Sequence, residues 1–376
     1  MQSKPNFNEM MIIFDGGMGS MLQSEGMKAG ELPESYNLKF PNIIYKIHKA
    51  YIDAGADIIT TNTFGASKYK MKGSGLELSE VIKKAVEIAK EAAGVHKLVA
   101  LDIGPLGQLM EPCGTLSFED AYEAFKEQVI IGSSAGADII LIETMSDIYE
   151  AKAAILAAKE NSDLPVICTM TFQHDSRTLT GTDPITMVNI LQSLGVEALG
   201  INCSLGPKEM MPVLEQVLKY SKIPVIVQPN AGLPQILEGK TIYDVTPNEF
   251  GEYALQMAEA GVTILGGCCG TTPEHIRVVK KLLEGFTLRP RRVKKLTAAS
   301  SAAATVVIGE GVKIIGERIN PTGKKRFKEA LINDDMDYVL REALNQRDHE
   351  ADILDVNVGL PEIDEPKMLE GCVKEL

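Results

Sequence analysis

Cys203, Cys268 and Cys269 are the residues of this sequence whose type and placing best suit chemistry. Each closes a short apolar run, Cys203 in ALGINCS (198–204) and the adjacent pair in VTILGGCCG (262–270). Two neighbouring cysteines on a straight strand would face opposite ways. At a strand end, the glycines Gly266, Gly267 and Gly270 let the backbone turn so that both can face one ion. Three thiolates suit Zn2+ best among the common metals, and three protein ligands leave a fourth position for water or substrate. Such a site carries a formal charge of −1. It lowers the pKa of an incoming thiol yet leaves the sulfur electron-rich, which favours alkyl transfer to sulfur over hydrolysis. The competing readings of the pair are a vicinal disulfide or two buried thiols. Cys113, Cys168 and Cys372 are read as structural, Cys168 as a small buried hydrophobe inside a strand.

The other apolar runs also end in polar residues: Asp15, Asn62 with Thr63, Asp102, Glu143, Thr171 and Asn230. Asp15 and Glu143 are the carboxylates expected to hold a substrate ammonium group, against a purely structural role for each. Asn230 is expected to offer its amide to the metal or to the substrate. His174 and His275 are further potential ligands, and His275, in the helix start TTPEHI, is read as a surface histidine.

These side chains gather only if the strands that carry them are parallel and closed. Eight apolar runs precede residue 270: 10–17, 56–65, 97–105, 137–144, 165–172, 198–204, 224–230 and 262–270. Amphipathic stretches of helical period separate them, with Ser79 in a first turn, Ser117 and Asp147 as N-caps, and Gly94, Gly136 and Gly261 at helix ends. Short strands alternating with helices over this length predict an α/β fold of the (β/α)8 TIM-barrel type, with its active site at the C-terminal ends of the strands. An open doubly wound sheet is the alternative, but Gly16-Gly17-Met18-Gly19 lacks the dinucleotide-binding spacing. In a closed barrel, strands six and eight flank strand seven, which puts the three cysteines within reach of one ion.

The predicted barrel domain is 1–286. Residues 287–311, with Pro, a basic cluster (Arg289 to Lys295) and an Ala/Ser/Thr tract, read as a solvated linker. The strand–helix rhythm restarts at 312–376 as an incomplete second α/β barrel, two strand units that stop at Leu376 before a barrel could close.

The net charge of −13 argues against a nucleic-acid or anionic-membrane surface as partner. No apolar run is long enough to span a bilayer, and the start lacks signal-peptide architecture, so a cytoplasmic location is expected. Six cysteines there are metal ligands or buried thiols rather than a disulfide framework.

The segments DGGMGSML (15–22), GADIITTNTFGAS (55–67), GINCSLGP (200–207), QPNAG (228–232) and GGCCGTTPEHI (266–276) resemble the homocysteine S-methyltransferase family over about residues 10–286. The resemblance implies that Cys203, Cys268 and Cys269 bind Zn2+, that L-homocysteine takes the fourth position, and that Asp15 and Glu143 contact its amino-acid end. GERINPTGKKRFKEAL (316–331) and LDVNVG (354–359) resemble the start of the methyltetrahydrofolate-binding barrel in the cobalamin-dependent methionine synthase family. There Glu317, Asn320, Asp355 and Asn357 match pterin-site positions. Most of that barrel is missing, and no Asp-x-His-x-x-Gly cobalt-ligand motif occurs. The expectation is transfer of methyl to homocysteine from methylcobalamin, supplied free or on a corrinoid-carrying protein or domain, with no competent folate binding. The alternatives are S-methylmethionine or betaine as donor, or a non-catalytic barrel that docks a corrinoid protein.

Overall fold

In a computed structural model, which describes residues 7, 9–28, 30–237 and 240–376, the chain divides into two compact units. The first comprises Met1–Lys295 with Ser301–Ala304, the second Leu296–Ser300 with Thr305–Leu376.

The first unit is built on eight parallel strands: β1 (Ile12–Ile13), β2 (Ile58–Thr60), β3 (Leu98–Ile103), β4 (Ile139–Met145), β5 (Val166–Met170), β6 (Ala198–Asn202), β7 (Val225–Gln228) and, after the hairpin of β8 (Gln235–Leu237) and β9 (Lys240–Ile242), β10 (Ile264–Leu265). Seven fall inside the apolar runs read from the sequence, and β4 runs one residue past its own, to Met145. They pair in the order β1-β10-β7-β6-β5-β4-β3-β2, and a parallel bridge between Phe14 and Ile58 joins the two ends of that order. This is a (β/α)8 barrel, as expected.

Strand alternation divides the side chains into two sets. One faces the barrel axis and forms a core cluster of Ile12, Phe14, Ile58, Ala100, Ile139, Leu141, Ile167, Ala198, Ile226 and Ile264, joined by Phe7. The other lies under the helices, as where Leu101 fills the space left by Gly132 on the helix Phe118–Ser134. The helices form where apolar residues recur at three- and four-residue spacing: Leu78–Ala93 buries Val81, Ile82, Ala85, Val86, Ala89 and Ala93. Their ends follow local chemistry. Ser117 accepts from the Asp120 N–H and Asp147 from the Tyr149 N–H, while Gly261 takes the left-handed conformation that ends Pro247–Ala260.

After the last barrel helix the chain runs back along the barrel. Half-buried Arg291 donates to the carbonyls of Leu218 at 3.2 Å and Ile223 at 2.8 Å, and the Lys294 N–H donates to Lys219 at 2.8 Å. Carbonyls left over from the last turn of 207–220, with that of Ile223 just beyond it, thus hold part of the basic cluster that reads in sequence as solvated.

The second unit contains the antiparallel pair β11 (Ala298–Ser300) and β12 (Thr305–Val307), and the parallel pair β13 (Ile315–Ile319) and β14 (Ile353–Val356). Three helices accompany the parallel pair: Lys325–Ile332, Met336–Asp348 and Glu365–Glu375. Its core is small: Ile319, Phe327, Leu331, Val339, Ala343, Val358, Leu360 and Cys372. No helix among the described residues is long and apolar enough to cross a membrane.

Candidate metal centre and substrate pocket

The axis-facing rows of the barrel change character at the C-terminal ends of the strands. Two residues beyond the inward Ile58, Ala100, Leu141, Ile167, Ala198 and Ile226 stand Thr60, Asp102, Glu143, Thr169, Gly200 and Gln228. The same count along β6 reaches Asn202. Period two therefore aims this polar tier into the barrel mouth.

Cys203 follows β6 directly. Its N–H donates to the Gln228 carbonyl on β7 at 3.1 Å. Cys203 and Ser204 both adopt positive φ, 58° and 59°. This left-handed step is uncommon for residues with a side chain and is found where a surrounding structure demands it. Cys268 and Cys269 follow β10. The Cys268 N–H donates to Pro229 at 2.8 Å, and the Cys269 carbonyl accepts from the Ala231 N–H at 2.9 Å. Thr271 Oγ1 donates to the Cys268 carbonyl at 2.6 Å. The glycines here are required by close approach: a Cβ on Gly267 would lie 2.3 Å from Thr271 Oγ1, and one on Gly270, at φ +80°, 2.2 Å from the Tyr243 ring.

The three sulfurs converge. Cys203 Sγ and Cys269 Sγ are 3.9 Å apart, and all three Sγ atoms lie within 4.8 Å of one another. None is in a disulfide. The thiols interact strongly: Cys269 is drawn down to about 3 by S–H donation from Cys203 and Cys268, helped by the Tyr243 hydroxyl. Cys268 is pushed up by the same contacts and by burial. Three ionised sulfurs at this spacing need a cation, and the set is one that could hold a metal ion. Cys168 and Cys372 are buried and Cys113 is exposed.

Asp15 lies at the end of β1, buried, its carboxylate accepting from the Thr60 N–H at 2.8 Å and from Thr60 Oγ1 at 3.2 Å. Burial raises it to about 7. Glu143 rises to about 8, through burial first and then the charges of Cys203 and Asp15. The neighbouring Thr144, at φ 62°, is pinned by Asn202. Its N–H donates to Asn202 Oδ1 at 3.0 Å, and Asn202 Nδ2 donates to its Oγ1 at 2.8 Å. Thr169 Oγ1 completes the set by donating to Asn202 Oδ1 at 2.8 Å. Asn230 is buried, its N–H bonded to the Leu205 carbonyl and its Oδ1 unpartnered.

The comparisons with known proteins point one way. The homocysteine S-methyltransferase profile matches residues 12–283. The chain belongs to the homocysteine S-methyltransferase family. It is similar to the methionine synthases of Mycobacterium tuberculosis and Mycobacterium leprae, 31% identical to each over 373 and 377 residues. Those alignments take in 93% of this chain and 31% of each relative, so the chain spans about a third of their length. Among solved structures it is similar to the homocysteine methyltransferase MmuM from Escherichia coli. In the metallated form the TM-score is 0.63 at 24% identity, covering 72% of this chain and 96% of that one. In the apo form it is 0.58 at 23% identity, covering 72% and 95%. These likenesses concern the fold.

Glu317, Asn320, Asp355 and Asn357 lie in the second unit, on or just after β13 and β14. Glu317 pairs with Lys324 at 3.3 Å. Asn320 Oδ1 accepts from the Thr322 N–H, and Asn357 Oδ1 from the Gly359 N–H. Backbone pairing brings the strand ends together, with the Asn357 N–H on the Ile319 carbonyl at 2.9 Å.

One reading is corrected. His275 is only 6% exposed, where the sequence reads as a surface histidine. It sits at the third position of the helix Pro273–Leu282, and Nδ1 accepts from the Thr272 N–H in a capping box. Its other nitrogen contacts the Val245 carbonyl at 3.2 Å, and its ring meets Phe250 edge-on. His174 is exposed. Sequence reasoning also missed Thr169, Asn202 and Gln228. Counting by two from the apolar strand residues would have found them. Tyr243 left no such signal, because it comes from the connection after β9.

Proposed function

We propose that this barrel holds a zinc ion on Cys203, Cys268 and Cys269 and transfers a methyl group to the sulfur of L-homocysteine, giving L-methionine, with methylcobalamin as the methyl-donating substrate. The observation that carries the reading is the convergence of three free thiols from the ends of two strands that flank β7. Their donor set fits zinc, three soft sulfurs with a position left for substrate. When bound, zinc lowers the pKa of the substrate thiol and leaves its sulfur nucleophilic at neutral pH.

The chain's own residues position the reactant. Asp15, fixed by both hydrogen-bonding groups of Thr60, and Glu143, whose backbone is set by the Asn202–Thr144 pair, receive the substrate ammonium. Its arrival offsets the carboxylate charge that burial makes costly. Asn230 Oδ1 stands ready to accept from the substrate or to contact the metal. The substrate sulfur bonds to the methyl carbon in line as the methyl–cobalt bond breaks, its electron pair leaving with the corrinoid as cob(I)alamin.

The corrinoid donor is favoured because likeness to the methionine synthases covers 93% of the chain, beyond residue 283 where the family profile ends. On this reading the second unit is the beginning of a pterin-binding barrel. Glu317, Asn320, Asp355 and Asn357 are counterparts of pterin contacts, and the corrinoid comes free or on a corrinoid-carrying protein or domain. The enzyme is cytoplasmic and needs neither nucleic acid nor membrane.

Two measurements test this. Purified protein should carry about one zinc per chain, lost in a Cys203→Ala, Cys268→Ala double variant; zinc retained by that variant overturns the site. Homocysteine offered with methylcobalamin, S-methylmethionine or betaine in turn should give methionine with the first. Turnover with either of the others alone would reassign the donor, and corrinoid binding without methionine would make the barrel a docking module.

A further inference from the structure

The loop 171–183 leads from β5 to the helix Pro184–Ser193, at the end of the barrel that carries the metal centre. Several of its hydrogen bonds are internal. The Gln173 N–H donates to the Arg177 carbonyl at 2.8 Å, the Thr178 N–H to the Thr182 carbonyl at 3.0 Å, and the Thr182 N–H to Thr178 Oγ1 at 3.1 Å. Bonds of this kind shape a loop but do not fix it on its scaffold. Threonine hydroxyls do that. At the foot of the loop, Thr171 Oγ1 donates to the carbonyl of Asn202, the residue before Cys203, at 3.0 Å. Further along, Thr180 Oγ1 donates to the Ser146 carbonyl at 3.1 Å. At the far end, Thr182 Oγ1 donates to the Ala302 carbonyl at 2.7 Å.

This last anchor comes from distant sequence. Ala302 lies in the turn Ser301–Ala304 between β11 and β12, within the Ala/Ser/Thr tract that reads in sequence as solvated linker, yet the turn belongs to the barrel unit. Arg177 adds to the contact. Its Nη1 donates to the loop's own Gly181 carbonyl at 2.6 Å and to the Ala303 carbonyl at 3.4 Å. Thr182 is fully buried although it stands on a rim loop. A buried hydroxyl needs an acceptor, and the turn supplies it.

The loop in turn holds the end of β4. Ser146 follows Glu143, Thr144 and Met145, and Thr144 is itself pinned by Asn202. Hydrogen bonds therefore run from the turn through Thr182, Thr178 and the loop to Thr180 and Ser146. A loop with one anchor fewer samples more conformations. A ligand whose pocket depends on the held form then binds more weakly, in proportion to the fraction of molecules that keep it.

We propose that the turn Ser301–Ala304 is a strap on the loop 171–183, and that Thr182 is a positioning residue through which the docked strap fixes the end of β4 and sets the affinity for homocysteine. The binding half of this rests on the homocysteine reading and deepens it; the strap half stands without it.

The test uses the full chain loaded with zinc, and two readouts: the rate of tryptic cleavage after Arg177, and the calorimetric affinity for L-homocysteine. Thr182→Val keeps the shape of the side chain and removes the hydroxyl, whereas Thr182→Ser keeps the hydroxyl. Thr182→Val should speed cleavage and weaken homocysteine, each by about threefold to tenfold, as loss of one hydrogen bond does. Zinc content should not change, and Thr182→Ser should behave as wild type in both readouts. Unchanged cleavage in Thr182→Val overturns the strap. Faster cleavage with unchanged homocysteine affinity overturns the positioning role, and so does a Thr182→Ser variant as impaired as Thr182→Val. Should Thr182→Val fail to fold, Thr180→Val, at a half-buried position, cuts the same path at Ser146: weaker homocysteine with zinc retained supports the proposal, and unchanged affinity overturns it. Wild-type protein that does not bind homocysteine defeats the functional reading and the positioning role with it, while the cleavage rates still decide the strap.

Discussion

Glu150 shows what folding does to a carboxyl group that it removes from water. It lies in the first turn of Ile148–Asn161, 3% exposed, with Oε1 accepting from the Leu106 N–H at 2.7 Å. Burial raises it from 4.5 to about 7, and Asp15 rises from 3.8 to about 7 for the same leading reason. The sign of the consequence follows from proton counting. Between about pH 5 and pH 7 the unfolded chain has lost these protons and the folded chain keeps them. The unfolded state binds fewer protons there, so stability falls as pH rises across that window and levels off above it. Glu150→Gln keeps an acceptor for Leu106 and removes the titration. The variant should lose less stability than wild type between pH 5 and 7, by on the order of a few kcal/mol. Thermal unfolding at several pH values checks this; parallel curves for the two proteins would contradict it. At this scale the sequence was readable where chemistry shows in residue type. Three cysteines at strand ends identify themselves. The burial of His275 does not, since a helix-start histidine looks the same whether it caps inward or faces water.

The strands were legible because their apolar runs end abruptly in polar residues or glycine, and those ends are where the mouth is built. Which residues face the axis follows from period two, yet one register decision per strand is needed, and tertiary closure makes that decision. Gly200 carries the cost of closure on β6. It faces the axis between Ala198 and Asn202, and a Cβ there would lie 1.7 Å from the Ile226 carbonyl on β7. No rotamer relieves a clash between Cβ and backbone, so β6 and β7 would have to separate. Gly200→Ala should therefore destabilise the barrel by about 3 kcal/mol or more, and it should also disturb the metal centre, because Cys203 hangs from Gln228 on β7. Denaturant unfolding with zinc content measured on the folded fraction reads both effects. A variant with wild-type stability would mean that the two strands do not pack this closely.

At the scale of the whole molecule, the two units differ in what holds them. The barrel buries a continuous core along eight strands and beneath its helices. The second unit has eight core residues, a two-stranded parallel pair, and exposed apolar side chains at Val312, Ile314 and Ile315. A parallel pair is ordinarily covered on both faces, and a small core supports only marginal stability. The second unit should unfold first, in a separate and cooler transition. Phe327 and Phe125 allow the two to be told apart, since each is almost fully buried, one in each unit. Phe327→Ala should lower or abolish only the cooler transition, and Phe125→Ala only the warmer one, each by about 3–5 kcal/mol of local stability. Differential scanning calorimetry with zinc content followed in parallel gives the answer. Zinc should persist through the cooler transition, because all three thiols belong to the barrel unit. A single transition shifted by both substitutions would show instead that the two units fold as one, and the stability of the metal centre would then depend on residues far beyond it in the chain.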